Sequence, residues 1–307
     1  MSQSVGVAVI TYTAVALLPK CLPPLLASPL SPRVLVVNSS SNDGTVELAR
    51  EMGADTLVIP REEFNHGATR EIARNELGTE IAVMITPDAI PLSSETLGSL
   101  VRPIVEGVAS VSYARQIPHE GADIFEAFPR FFNYPDKSGV RSIGDVDKLG
   151  PFTFFCSDSC AAWSNSALDS IGGFEPTLSL EDTIATAKLL RAGHKIAYCA
   201  EAVVRHSHHY SPLMEFKRYF DIGYVRALHK DLILGEGGDE RRGAAMTREL
   251  IQTLACHQPH LIPYALVLTS AKLLGYRLGY HGTSLPVWMK RRLSGQDYFW
   301  NSIFATG

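Results

Sequence analysis

Arg33-Val-Leu-Val-Val-Asn-Ser-Ser-Ser-Asn-Asp-Gly-Thr45 decides the fold. Val34 to Val37 are too uniformly apolar for a strand with one wet face, so Arg33 to Val37 reads as a strand buried on both sides. The polar run after it ends where a helical pattern, Thr45 to Met52, begins. The same alternation continues in both directions. Strands are expected at Val5 to Thr11, Thr56 to Ile59, Ile81 to Thr86 and Ala109 to Tyr113, with helices at Ala68 to Glu76 and Ser94 to Val105. Strand and helix in turn specify an α/β fold, a mainly parallel sheet flanked by helices. Ligands of such sheets gather beyond the carboxyl ends of the strands, which points to Thr11-Tyr12-Thr13, Asn38 to Thr45 and Thr86 to Pro91.

After Gly121 the alternation breaks. A helix is expected at Ala122 to Asn133, a short strand at Phe152 to Phe155, helices at Ser166 to Ile171 and Leu180 to Arg191, a strand at Ile196 to Cys199 and a long helix at Pro212 to Leu232. Gly235-Glu-Gly-Gly238 reads as a linker, dividing the chain into residues 1–235 and a helical C-terminal extension, 236–307. Charge divides it at nearly the same place: residues 1–240 carry 20 basic and 30 acidic side chains, residues 241–307 carry 8 and 2. The acidic body argues against a nucleic-acid partner.

The 307 residues are 46% hydrophobic, enough to bury a full-sized core, which excludes disordered and fibrous classes. The apolar stretch Leu261 to Leu278 is interrupted by Lys272 and Arg277, so no membrane-spanning helix is expected. Residues 1–10 run straight into a strand pattern with no basic n-region or cleavage site, so a cytoplasmic location is the expectation. The five scattered cysteines suit free thiols in a reducing compartment.

Four segments place reactive groups at loop or helix-start positions. Asn38 to Thr45 sets hydroxyls, a carboxylate and free N–H groups at a helix start, an anion-binding arrangement that simple capping by Asn42 or Asp43 explains equally well. Neither GxGxxG nor GxxxxGK[ST] is present, against a dinucleotide dehydrogenase or a P-loop kinase. Asp88 stands where an apolar strand emerges, suited to a hard divalent cation or merely to a turn. Glu181-Asp182 opens a helix, where acids complement the dipole and where one can serve as a general base. His206 and His208 share one face of an extended segment with His209 on the other, an arrangement for a metal, a phosphate or a surface network.

Taken in order, Val7-Ala-Val-Ile-Thr-Tyr12, Asn38 to Thr45, Glu63-Phe-Asn-His-Gly-Ala-Thr-Arg70, Thr86-Pro-Asp-Ala89, Tyr113-Ala-Arg-Gln-Ile-Pro118, Phe132-Asn-Tyr-Pro135, Gly172-Gly-Phe174, Glu181-Asp182, His206-Ser-His208 and Arg218 to Gly223 resemble the family 2 inverting glycosyltransferases of the GT-A (Rossmann-like) fold. Within that family the resemblance is closest to bacterial rhamnosyltransferases. It covers residues 5–232, with an echo in Leu274-Gly-Tyr-Arg-Leu-Gly279.

The resemblance implies a nucleoside diphosphate sugar lying across the strand ends. Thr11, Tyr12, Thr13, Asn38, Ser40, His66, Arg70 and Asp88 would contact the nucleotide, with Asp88 and His208 holding Mg²⁺ or Mn²⁺ on the diphosphate. Arg115, His206 and Arg218 would meet acceptor or phosphate, and Asp182, beside Glu181, would be the base. The donor implied is dTDP-L-rhamnose and the acceptor a glycan or lipid-linked sugar of a cell-surface polysaccharide. Three positions depart from the family: Asn38 replaces an Asp, Pro87 a polar residue and Glu71 an Asn. These keep a UDP-sugar donor and a catalytically silent nucleotide-binding module as alternatives. A nucleotidyltransferase would need a Gly-rich basic loop where Thr11 to Val15 stands. The basic tail, with Lys290-Arg-Arg292 between Trp288 and Trp300, is expected either to touch an anionic membrane peripherally or to pack as a cap.

Overall fold

The computed structural model describes residues 3–233 and 240–305. Among them nine strands form one sheet: Val5–Thr11 (β1), Arg33–Asn38 (β2), Asp55–Val58 (β3), Ile81–Ile85 (β4), Ile90–Pro91 (β5), Val111–Ile117 (β6), Gly139–Arg141 (β7), Cys160–Ser164 (β8) and Ile196–Arg205 (β9). Their order is β3-β2-β1-β4-β8-β6-β9-β5, with β7 also on β9. From β3 to β4 the sheet is parallel, as the buried apolar strands require. β8 then runs antiparallel to both β4 and β6, while β6 and β9 are parallel.

Helices cover both faces: Leu18–Leu26 (α1), Thr45–Glu51 (α2), His66–Leu77 (α3), Thr96–Val105 (α4), Ile124–Asn133 (α5), Val146–Leu149 (α6), Asn165–Ser170 (α7), Glu181–Arg191 (α8), Pro212–Leu228 (α9), Lys230–Ile233 (α10), Glu240–His257 (α11), Ile262–His281 (α12) and Val287–Leu293 (α13). Local chemistry sets their ends. Asn65 caps α3 by accepting the N–H groups of Gly67 and Ala68, Asp123 caps α5 in the same way, and Ser211 precedes Pro212 at the start of α9. One core, around Leu35, Met84, Trp163 and Leu189, lies on one side of the sheet. A second, around Val36, Leu22, Ile85 and Leu100, lies on the other.

Three expectations change. The aromatic run at Phe152 to Phe155 is no strand: Gly150-Pro151 starts a 3-10 turn, Gly150–Phe154. The strand at that level is β8, whose Cys-Ala-Ala-Trp-Ser is held between β4 and β6. The helix expected to reach Leu232 ends at Leu228, with His229 between it and α10. Of the two expectations for the basic tail, membrane contact or a packed cap, Lys290 and Trp300 follow the second: they are 5% exposed each, the ammonium lying over the rings of Tyr224 and Trp300. The expected linker Gly235–Gly238 lies outside the described residues.

The C-terminal helices pack on the sheet domain through glycine. A Cβ on Gly223 of α9 would sit 2.2 Å from the Tyr276 carbonyl oxygen, and one on Gly275 of α12 would sit 2.2 Å from that of Phe216. The two helix backbones therefore touch, which only residues without side chains permit. The opposite face of α12 exposes Leu266, Val267, Leu273, Leu274 and Leu278. No helix among the described residues is long and apolar enough to cross a membrane.

Candidate functional site

The ends of β1, β2 and β3 form one side of the crevice. Asn38 is fully buried, and its amide is consumed within its own loop: Nδ2 donates to Thr11 Oγ1 (3.2 Å) and Ser41 Oγ (2.9 Å), and Oδ1 accepts the Ser41 N–H (2.8 Å). Asn38 and Thr11 thus build the loop, while the surfaces left open belong to Tyr12, 51% exposed, and to Ser40. Thr13 and Ser40 have φ of 55° and 56°, a left-handed strain that clusters where backbone must face a ligand. Asp43 ties the loops together by accepting from Thr45, Ser41 and the Val15 N–H. Burial opposes ionisation, but these hydrogen bonds hold the carboxyl down at about 2. The Arg61 guanidinium, just past β3, lies 3.9 Å over the Tyr12 ring and donates to Ser39 Oγ.

A cation-seeking cluster stands in the middle. Asp88 Oδ2 is 3.5 Å from His206 Nε2 and 3.4 Å from His208 Nε2, and the two imidazole nitrogens are 3.0 Å apart. His206, expected at acceptor or phosphate, therefore joins the proposed metal pair. Its other nitrogen, Nδ1, meets Gln116 Oε1 at 2.9 Å, and the same oxygen accepts from Arg130 (2.6 Å) while Gln116 Nε2 donates to Ser157 (2.8 Å). Arg130 can only donate, so Oε1 is fixed as the acceptor and His206 must carry its proton on Nδ1. The Nε2 lone pair then points at a carboxylate and a second imidazole. Burial lowers the pKa of His206 and brings His208 down to about 4, so both rings are neutral, and the Asp88 carboxyl lies below the usual range and is ionised. Three converging lone-pair donors of this kind fit a divalent ion.

Arg218 sits on the rim, paired with Glu215 (3.1 Å) and facing the rings of Tyr210 and Tyr219, and its charge acts on His208. Arg115 lies beside Tyr198 instead. The pairing skips Ala200 to Ala202 of β9 between Ala114 and Arg115, while β6 itself alternates without a break and sets Gln116 on the face opposite Tyr113 and Arg115.

The third group is acidic and buried. Arg70 pairs with Asp158 (3.0 Å) and Glu181 (2.8 Å), so it clamps two carboxylates rather than reaching a phosphate. Asp182 Oδ2 accepts the Asp158 N–H (3.1 Å) and its Oδ1 the Thr183 N–H (2.6 Å). Burial, and then the Glu181 charge, raises the Asp182 carboxyl to about 6, while Arg70 offsets burial and holds Glu181 low. Leu180, which opens α8, has φ of 63°, so the backbone is strained where the two acids enter the crevice. His66, expected on the nucleotide, turns its Nε2 to Gln296 and Tyr298, each at 3.2 Å.

One loop before β8 joins the groups. Ser157 meets Gln116, Asp158 meets Arg70, and the Ser159 carbonyl accepts the Thr86 N–H two residues before Asp88. Sequence reading missed Asp158, Gln116 and Tyr298. An Asp between Cys156 and Cys160 just ahead of a short strand was the signal available for the first.

Fold and site together define the class: a GT-A sheet with an Asp–His–His cluster of a kind that could hold a divalent cation and a carboxylate of raised proton affinity on adjoining loops. The chain matches the family described as "Glycosyltransferase like family 2" over residues 2–221. It is 39% identical over 297 residues, 95% of each chain, to the O-antigen chain rhamnosyltransferase RfbN of Salmonella typhimurium, and 38% identical over 273 residues, 88% of this chain and 87% of the relative, to WbaN of Salmonella anatum, which bears the same description. The chain belongs to the family 2 glycosyltransferases. Among solved structures, the mannosyltransferase PcManGT from Pyrobaculum calidifontis, in complex with GDP-Man and Mn²⁺, aligns over 98% of this chain and 86% of its own at TM-score 0.58 and 16% identity. Staphylococcus aureus TarS, in complex with UDP-GlcNAc, aligns over 91% of each chain at TM-score 0.54 and 16% identity. At that identity the likeness speaks for the fold alone.

Proposed function

We propose that the protein is a metal-dependent inverting rhamnosyltransferase that moves L-rhamnose from dTDP-L-rhamnose to a glycan or lipid-linked acceptor in cell-surface polysaccharide synthesis. The sugar follows from RfbN and WbaN, which share more than a third of its residues. The observation that carries the reaction is the single loop Ser157–Ser159, which braces the Asp88–His206–His208 cluster on one side and touches Asp182 on the other.

Asp88, His206 and His208 would hold the cation. Two neutral imidazoles beside one carboxylate suit Mn²⁺ better than Mg²⁺, which prefers oxygen ligands and retained water. A bound divalent ion neutralises charge building on the departing diphosphate. Tyr12, Ser40 and Arg61 offer the base a ring face, a hydroxyl and hydrogen-bond donors, and Asn38 keeps the loop in shape. Asp182, ionised above its raised pKa, takes the acceptor hydroxyl proton as that oxygen attacks the anomeric carbon from the face opposite the diphosphate. The glycosidic bond forms as the bond to diphosphate breaks, so configuration inverts in one displacement.

The exposed apolar face of α12, with Trp288, Arg291 and Arg292 exposed on α13, supports peripheral contact with the anionic cytoplasmic face of a membrane, where a lipid-linked acceptor would be presented. Hydrolysis and transfer assays with dTDP-L-rhamnose, UDP-glucose and UDP-GlcNAc, each with Mn²⁺ and with chelator, test the reading. Turnover of dTDP-L-rhamnose only with metal is expected. Turnover of a UDP-sugar alone removes the sugar assignment, and equal rates in chelator remove the metal.

A further inference from the structure

The C-terminal segment reaches the crevice. In the turn at 294–300, the Gly295 N–H donates to Asp221 Oδ2 of α9 (2.9 Å), and Phe299 and Trp300 are buried, Trp300 against Tyr224. These anchors present Gln296 and Tyr298 to His66, 230 and 232 residues away in the chain. The Gln296 amide nitrogen can only donate, so His66 Nε2 accepts and its proton resides on Nδ1. Burial lowers the His66 pKa, which keeps the ring neutral even though Glu181 is near enough to pull the other way. Tyr298 also packs on Phe64 and lies with its ring centroid 4.7 Å from the Arg61 guanidinium, the group stacked over Tyr12. One side chain thus touches both the strand-end surface and the histidine beside the acidic cluster.

We propose that this turn is part of the donor site, with Tyr298 as the positioning residue that shares His66 Nε2 with Gln296 and fixes the place of Arg61 over Tyr12, completing a surface for a nucleoside diphosphate. The proposal rests on the crevice being the donor site. A half-exposed aromatic ring with a guanidinium across it offers a planar base a stacking face and offers its carbonyls or the diphosphate N–H donors. Its placement requires the last part of the chain, which accounts for a tail that folds back on the crevice instead of ending on α12.

The test uses the full chain with Tyr298→Phe and Tyr298→Ala. Calorimetry with dTDP and with UDP, with and without Mn²⁺, gives affinity, and ¹⁵N–¹H spectra of the nucleotide-free protein give the His66 tautomer. Tyr298→Ala should weaken nucleotide binding by roughly 10-fold, from loss of a hydrogen bond and a cation–π contact, with kcat at saturating donor changed less than about threefold. Tyr298→Phe, which keeps the ring, should fall between, and both should shift the His66 Nε2 resonance, which loses one of its two hydrogen-bond partners. If Tyr298→Ala does not fold, Tyr298→Phe carries the test through the same two readouts. Unchanged affinity and an unchanged His66 spectrum in a folded variant overturn the proposal alone. A wild-type chain that binds neither nucleotide overturns the donor reading and this proposal with it.

Discussion

Replacing Asp182 by Asn separates the two consequences of its burial. In the native chain the carboxyl is raised from 3.8 to about 6, by burial first and by the Glu181 charge second, against hydrogen bonds from Asp158 and Thr183 and the charge of Arg70. An acid with a higher pKa folded than unfolded binds more protons in the folded state between those values. Its contribution to stability is whole below about pH 4 and is lost as pH rises through about 6. At 1.36 kcal/mol for each pH unit this amounts to on the order of 3 kcal/mol, and water reaching the partly exposed carboxyl reduces it to about 1–3 kcal/mol. Asn carries no such penalty. It does turn one accepting oxygen into an amide that faces either the Asp158 or the Thr183 N–H, a cost of about 1–3 kcal/mol at every pH.

The absolute stability of Asp182→Asn therefore decides little, but its pH dependence decides a great deal. Urea unfolding of both proteins at pH 4.5 and pH 8 should show the difference moving in favour of the variant by about 1–2 kcal/mol as pH rises. Turnover at pH 8 should fall by a factor of about 10² to 10⁴, and native kcat/KM should climb through about pH 6 and then level. A stability difference that is the same at both pH values would refute the burial argument. Near-native turnover in the variant, with Glu181→Gln inactive, would mean the two carboxylates have exchanged roles.

Three more outcomes follow from particular contacts. Gln116→Leu should weaken Mn²⁺ binding in the presence of dTDP by about 10- to 100-fold in calorimetry, because His206 loses the acceptor that fixes its tautomer, while Asp88→Ala should abolish the metal dependence of binding. Gly275→Ala should cost about 1–3 kcal/mol in denaturant unfolding, since its Cβ would meet the Phe216 carbonyl at 2.2 Å and a helix backbone cannot yield as a side chain can. Arg291→Glu with Arg292→Glu should release the protein from anionic vesicles in co-sedimentation without lowering its melting temperature, whereas Lys290→Glu should destabilise it, because that ammonium is packed on Tyr224 and Trp300. Vesicle binding indifferent to both arginines would assign the α12 face to another partner.

Where hydrophobic period and local chemistry agree, the sequence is sufficient. The five buried residues of β4 and the Asn65-capped start of α3 leave little choice of structure. β8 is not legible because Cys-Ala-Ala-Trp-Ser has weak strand preference, and it is extended only because β4 and β6 pair with it on either side. The aromatic Phe152 to Phe155 misleads for the opposite reason, since strand-forming side chains follow a Gly-Pro start that bends the backbone into a turn. Within the site, Asp88, His208 and Asp182 could be picked out because each begins or follows an element. Gln116 could not, because it lies inside a strand and its partners Arg130, Ser157 and His206 come from three distant parts of the chain. Lys290 shows the limit of composition: a basic residue beside Trp reads as interfacial until packing shows its stem buried and its head on two rings.

Arg70 explains why an acidic cluster can exist so deep in the crevice and still leave one member ready to accept a proton. Asp158, Glu181 and Asp182 share one guanidinium, and His66 beside them is neutral, so full ionisation would leave two uncompensated charges in a buried space. Geometry decides which group gives way. Glu181 holds Arg70 directly and stays ionised, and Asp158, though it touches the same guanidinium, is raised first by burial and then by its acidic neighbours. Asp182 receives only backbone N–H groups and a more distant share of Arg70, which leaves it between the two, raised but ionised at neutral pH. A carboxylate held near 6 is a better proton acceptor than an ordinary Asp and is still charged at neutral pH, which is what the proposed base requires. The Arg70 expected on a phosphate thus acts from beneath, by apportioning protons among three acids.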